Sequence, residues 1–313
     1  MFNLTTRSSL KEQFFRLSTP SFHKITHQLK AVLVAFVLVG FTVNGQLAIA
    51  QSKKIIFLAG PKDHGAPGRH EYEKDLRLLA QCLETSTNLK GVTTKVIVGK
   101  APKDINELKD AAAIVILSSS DRDTRETHPL FPPQPSTDGR SYDAETQAYL
   151  NDLDKLVKTG VGVVVFHYAN WVEHWKARGL FLDWTGGLWV QMASRNPNDD
   201  WTITLKNESH PVLRGVKPWT YKDEIFCRFF LPNDPKRTDL LLGTPAKSPV
   251  GQQVAAWAYQ REDGGRGFVM GGVDYHSNMQ IEDYRRFLLN GIAWAAKLEV
   301  PAKGIQSTIP KAQ

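Results

Sequence analysis

Cysteine is scarce in this chain: Cys82 and Cys227 are the only two among 313 residues. A single pair cannot define a disulfide framework. Cys82 falls in a helix-like pattern and Cys227 in a strand-like one, so two buried free thiols are expected. Long apolar spans are missing too. The N-terminal run Ala31–Val43 has thirteen residues, short of the roughly 20 that cross a bilayer, and no multipass membrane protein is indicated. Nor is charge of one sign in large excess. Residues 1–50 carry +4 of the formal +7, leaving +3 on the rest. That surplus forms no basic stripe interleaved with aromatics, so no nucleic-acid partner is expected. Internal repeats and a linker between domains are both lacking.

Several catalytic signatures are also absent. Gly65 is followed by Ala66 and Pro67, not by the Lys-Ser/Thr of a phosphate-binding loop, and no G-x-G-x-x-G occurs. His70-Glu71 has Lys74 where a zinc-protease helix needs its second histidine, and there is no G-x-S-x-G elbow. Nucleotide cofactors and serine-hydrolase chemistry lose their usual support.

What is present begins with an export pattern. Arg7, Lys11, Arg16, Lys24 and Lys30 precede the apolar run, and Ala48-Ile49-Ala50 then offers a small-x-small cleavage triplet before Gln51. Basic, apolar and small-residue regions in that order read as a secretory signal over residues 1–50. The expected location is therefore secreted or periplasmic, with an uncleaved anchor as the alternative and no membrane span in the mature chain.

The remainder reads as one α/β domain over 51–300 with a tail at 301–313. Lys54–Ala59 is a buried strand entering a glycine-rich loop and then a helix over His70–Glu84. Strands follow at Thr93–Val98 and Ile114–Leu117, with a short helix at Asp104–Asp110 between them. Asp121–Arg140 is a long polar excursion of the kind that is often functional. A helix over Asp143–Lys158 leads to Gly162–Phe166, apolar throughout, as a parallel strand covered on both faces should be. Trp171–Trp201 is rich in tryptophan and glycine. Strands of alternating or mixed character are expected at Trp201–Leu205, Glu224–Phe230, Leu240–Leu242 and Val254–Tyr259, then Phe268–Gly271. Asp283 is placed as the cap of a closing helix. The pattern predicts a doubly wound, mostly parallel sheet with helices on both faces.

Such sheets bind ligands at the carboxyl ends of their strands. His64, His70 and Glu71 follow the first strand, Asp121 the third, His167 the strand Gly162–Phe166, and Asp274 and His276 the last. All open onto one edge if those strands are parallel. Two chemistries suit such a pocket. In one, His70, His167 and His276 hold a divalent metal such as zinc, with Glu71 or Glu224 as base. In the other, His167 and Glu71 move protons without a metal. His64, Asp121 and Asp274 would contact substrate, and Trp171 and Trp189 could present flat faces to a sugar ring. His210, in His210-Pro211-Val212, reads as a turn residue.

These residues resemble the ThuA-like family, named for trehalose utilisation. The similarity rests on Gly68-Arg69-His70-Glu71-Tyr72, on Val163–His167 with Tyr168-Ala169, on His210-Pro211-Val212 and on Asp223-Glu224-Ile225-Phe226. It continues through Arg266-Gly267-Phe268 to His276 and the closing stretch Arg285–Ala296, spanning about residues 53–300. The resemblance implies a class I glutamine amidotransferase-like, flavodoxin-like fold and a role in disaccharide catabolism; either pocket chemistry would serve a hydrolase, lyase or isomerase acting on a glycoside or keto-sugar. His167 stands where the amidotransferases place their nucleophilic cysteine, so release of ammonia from glutamine is not expected. A sugar-binding protein without catalysis on the same fold is the alternative, and self-association into a homo-oligomer stays open.

Overall fold

The computed structural model describes residues 52–120, 128–131, 144–173 and 175–309. The segment expected to direct export, the cleavage point expected before Gln51 and most of the polar excursion after the third strand lie outside the described residues.

Strands β1 (Lys53–Ala59), β2 (Val92–Val98), β3 (Ala111–Leu117), β4 (Gly162–Phe166) and β9 (Arg266–Met270) run parallel in the order β2-β1-β3-β4-β9. The sheet continues through antiparallel strands β8 (Gln253–Gln260), β7 (Arg237–Pro245), β5 (Asn198–Leu205) and β6 (Trp219–Glu224), nine strands among the described residues. This is the doubly wound α/β architecture expected, extended by an antiparallel wing.

Alternation along the parallel strands divides the core in two. Ile55, Phe57, Val115, Phe166 and Phe268 pack beneath α1 (Tyr72–Glu84) and α4 (Glu282–Ala295), where they meet Leu76, Leu79, Phe287 and Ile292. Ile56, Leu58, Ile116, Val165 and Val269 face the other way, toward α2 (Ala144–Val157) and α3 (Trp175–Thr185), with Leu150, Leu153 and Phe181. Each fully buried aliphatic or aromatic side chain contributes roughly 1.5–3 kcal/mol. Both faces of the parallel half are therefore committed to packing, and only its strand ends are left to carry chemistry.

Three local expectations are corrected. The segment expected as a strand at Glu224–Phe230 instead follows a strand: β6 alternates buried Trp219, Tyr221 and Asp223 with exposed Thr220 and Lys222. The chain beyond it leaves the ladder, with isolated bridges from Cys227 to Arg195 and from Phe230 to Leu188. Helix α3 arises within the tryptophan-rich stretch where no helix was expected. Asp283 does not cap α4; Ile281 holds that position without a side-chain bond. The Asp283 carboxylate instead accepts from Arg286 Nη1 at 2.9 Å and from the Lys217 backbone N–H at 3.1 Å. Cys82 and Cys227 are buried free thiols, as expected. Beyond residue 300 the chain still packs: Ile305 is buried and its N–H donates to Asn290 Oδ1. No helix among the described residues is long and apolar enough to cross a membrane.

Candidate metal centre

The loops after β1 and β9 are joined by backbone pairing at the carboxyl edge of the sheet. His70 N–H donates to Asp274 O and His276 N–H to Gly68 O, each at 2.9 Å. This pairing sets His70 beside Asp274. Three residues other than glycine adopt left-handed backbone angles here: His70 and His167 at φ +53° and Val273 at φ +93°. For a β-branched residue such as Val273 this is a strained conformation, and strain of this kind gathers at functional sites. The Asp223 carboxylate holds the turn in place, accepting from the N–H groups of Val273 at 3.1 Å, Asp274 at 3.2 Å and Glu224 at 3.0 Å. Burial pushes Asp223 up to about 8.

His70, His167, Glu224 and Asp274 converge, each offering a ligand atom within 4.8 Å of the other three. His70, His167 and Asp274 are almost wholly buried. Burial, followed by the neighbouring His167 and His64 rings, pushes His70 down to about 2; burial likewise lowers His167. Both imidazoles are therefore neutral at ordinary pH. His167 Nδ1 lies 3.1 Å from the Gly271 carbonyl. A carbonyl only accepts, so Nδ1 carries the hydrogen and Nε2 carries a lone pair. That Nε2 is buried without a hydrogen-bond partner among the described residues, and so is Asp274 Oδ1. His70 Nε2 stands 3.3 Å from Asp274 Oδ1. Buried polar atoms left without partners are expensive. A cation held between imidazole nitrogens and a carboxylate would satisfy them together, and two histidines with carboxylates suit a divalent transition metal.

Arg69 closes one side of the cluster. Its Nε donates to Asp274 Oδ2 at 2.6 Å and its Nη2 to Glu224 Oε2 at 2.5 Å. Asn196 Nδ2 donates to the other Glu224 oxygen at 2.5 Å. Glu224 is thus fixed in orientation by two donors, and Asp274 keeps one oxygen facing the imidazoles.

Of the residues expected here, His70, His167, Glu224 and Asp274 come together, with His64 at the rim. Its ring lies 4.1 Å from that of His70, its Nδ1 is 2.6 Å from Asp63 Oδ1, and its side chain is 32% exposed. His276 does not join them, which corrects the expected ligand set. Its Nδ1 is held 2.5 Å from Asp75 Oδ1 on α1, and Asp75 is pushed up to about 6 by burial. Glu71 stands apart as well. Its carboxylate accepts from the Gly68 N–H at 2.9 Å and from Lys62 Nζ, closing the start of α1, and the bond from Lys62 lowers its pKa. Trp171 and Trp189 are 6% and 4% exposed, with ring centroids 3.8 Å apart. They pack on Tyr168 and Phe226, so their faces are spent on one another and not open to a sugar. Asp121 lies outside the described residues. His210 accepts from the Val212 N–H through Nδ1 at 3.3 Å and caps the turn, as read.

Arg69, Tyr72 and Asp223 enter the sequence reading only within the motifs of the resemblance, with no role of their own, and Asp75, Ser119 and Asn196 have none there. Of these last three, one had a usable signal. Asp75 interrupts the apolar stripe Tyr72, Leu76, Leu79, Leu83, and a buried acid on such a stripe demands a partner.

A family model described as ThuA, trehalose utilisation, matches residues 65–295. No curated protein sequence matches the chain significantly. Among solved structures, a ThuA-like protein from Bacteroides uniformis superposes with a TM-score of 0.53 at 14% identity, over 78% of this chain and 91% of that one. A cytoplasmic protein from Salmonella typhimurium gives a TM-score of 0.49 at 12% identity, over 78% and 98%. A glutamine amidotransferase from Thermotoga maritima gives 0.41 at 8% identity, over 79% and 99%.

Proposed function

The chain belongs to the ThuA family of trehalose utilisation, and on that premise we propose that it acts on a disaccharide, or a 3-keto derivative of one, by metal-assisted acid–base chemistry. The observation that carries the reading is the meeting of two buried, neutral imidazoles with the unpartnered oxygen of Asp274. His70 Nε2, His167 Nε2 and Asp274 Oδ1 would hold the ion, and zinc fits this donor set. When bound, such an ion polarises a sugar carbonyl or hydroxyl and lowers the pKa of bound water.

The protein's own groups supply the rest. Glu224, oriented by Arg69 and Asn196, receives the proton taken from substrate or water. Arg69 balances the two carboxylates and keeps Asp274 turned toward the imidazoles. His64, partly exposed beside His70, meets the sugar at the mouth of the site. Glutamine amidohydrolysis is not part of this activity, because His167 and not cysteine follows β4. Residues 1–50 serve as an export signal, placing the enzyme outside the cytoplasm where disaccharides are met first; N-terminal sequencing of the exported protein should begin at Gln51.

The test joins metal analysis to turnover. The purified protein should contain close to one equivalent of divalent metal, convert trehalose or a 3-keto-disaccharide, and lose about 10²–10⁴-fold in kcat with Glu224→Gln. Metal-free protein that turns over neither sugar overturns the reading. If such protein still binds sugar after His70→Ala and His167→Ala, it is a binding protein on an enzyme fold.

A further inference from the structure

A chain of hydrogen bonds runs from His70 away from the candidate centre. His70 Nδ1 lies 3.2 Å from Tyr72 Oη, Tyr72 Oη lies 2.9 Å from Ser119 Oγ, and Ser119 Oγ donates to Asp63 Oδ1 at 2.8 Å. His64 Nδ1 approaches the same Asp63 oxygen at 2.6 Å. His70, Tyr72 and Ser119 are all buried, so the direction of each bond matters.

The carboxylate at the end fixes that direction. An ionised carboxylate only accepts, so the single Ser119 hydrogen goes to Asp63. His64 Nδ1 also lies 3.4 Å from Ser119 Oγ, but it carries its own hydrogen toward Asp63 and cannot take one from the serine. With its hydrogen committed, Ser119 Oγ can only accept from Tyr72. The phenol hydrogen is then used in turn, and Tyr72 Oη can only accept from His70. His70 must therefore carry its hydrogen on Nδ1 and present a bare lone pair on Nε2, toward Asp274 Oδ1.

We propose that Asp63, Ser119 and Tyr72 are positioning residues that lock His70 in the Nδ1–H tautomer and so hold its Nε2 ready for a metal ion. The inference rests on the metal reading above for its purpose, though not for its direct readout. His167 reaches the same state by a shorter route, through one backbone carbonyl. The site thus has two separately locked imidazoles, one tied to the end of β9 and one to the ends of β1 and β3. Outer-shell partners of this kind typically set 10–100-fold of metal affinity.

Nitrogen-15 NMR of the histidine rings in the metal-free full-length protein reads the tautomer directly. In the wild type His70 should show a protonated Nδ1 and an unprotonated Nε2. Ser119→Ala never touches His70, yet it frees the Tyr72 hydrogen to turn toward Nδ1 and should move the population to the Nε2–H form. Tyr72→Phe should leave a mixture. Calorimetry with Zn2+ alone should then show affinity weakened about 10–100-fold in both variants, with the His167 ring signals unchanged. A wild-type His70 protonated on Nε2 overturns the proposal, as does a tautomer indifferent to Ser119→Ala. Failure of Zn2+ to bind any form, with the tautomer behaving as stated, overturns the metal reading and leaves the lock standing. Each variant tests the chain from a different link, so loss of folding in one leaves the other decisive.

Discussion

At φ +53° the His70 and His167 side chains leave the backbone in directions that neither a helical nor an extended residue allows. The local cost is on the order of 1–3 kcal/mol for each such residue; at His167 it is held in place by bonds that meet at Gly271. Its carbonyl accepts from the Phe226 N–H at 2.9 Å as well as from His167 Nδ1, and its N–H donates to Ala255 O. A Cβ at this position would sit 2.3 Å from Phe226 O, and a backbone atom there cannot swing aside. Gly271→Ala should therefore destabilise the fold by roughly 1–3 kcal/mol through overpacking and loosen the His167 lock. Thermal unfolding and Zn2+ calorimetry on the folded fraction check both effects; an alanine variant equal to wild type in both would refute the role given to Gly271. Residue by residue, the sequence disclosed the histidines but not their partners. A histidine at a strand end is conspicuous in one dimension. Tyr72 passes for helix stripe and Ser119 for strand terminator until the loops close around them.

Elements were legible where one period dominated. β4 spans Gly162–Phe166 as expected, because five apolar residues between turn signals admit little else. α3 was missed because its sequence, Trp175–Thr185, has no strong apolar face to set against a polar one. β6 was misplaced because the apolar run Ile225–Cys227 looks more strand-like than Trp219–Glu224, although only the latter alternates. The turn Pro211–Leu213 bears on pH. Its cap, His210, packs against Trp294 at 5.0 Å between ring centroids and is pushed down to about 4 by burial, then by the nearby Arg266. The ordinary value is 6.5, so the folded state holds the proton less tightly than the unfolded chain. The stabilising contribution is present above pH 6.5 and is lost as pH falls through about 4. Wild-type Tm should drop across that window. His210→Asn keeps a cap acceptor but cannot titrate, and its Tm should drop less. A difference of 1 kcal/mol corresponds to about 2–4 °C for a chain of this size. Parallel Tm curves for the two proteins between pH 7 and 4 would remove His210 from the account.

On the scale of the whole molecule, a parallel sheet gathers its strand ends along one edge, and the arrival of His70, His167 and Asp274 there could be foreseen from strand order alone. Glu224 could not. It ends β6, the outermost strand of the antiparallel wing, four places removed from β9 in the sheet. The wing must curl to deliver it. Tyr221 and Trp219 pack against Tyr284 and Phe287 of α4, Asn278 Nδ2 donates to Lys222 O, and the Asp223 carboxylate grips the turn after β9. The proposed centre therefore draws on both halves of the sheet: the ion-holding residues come from the parallel half and the proton acceptor from the wing. An ion bound only by the native arrangement stabilises it by RT ln(1 + [L]/Kd), about 2.7 kcal/mol at a hundredfold excess over Kd. For a domain of this size that amounts to a Tm rise of roughly 5–11 °C. Asp274→Asn should abolish the rise. Glu224→Gln, which spares the three donors, should keep most of it while removing turnover. That split separates an ion held by the parallel half from one that needs the wing: if Glu224→Gln abolishes the Zn2+-dependent Tm shift as fully as Asp274→Asn does, Glu224 is a ligand and the proton must be taken by another group.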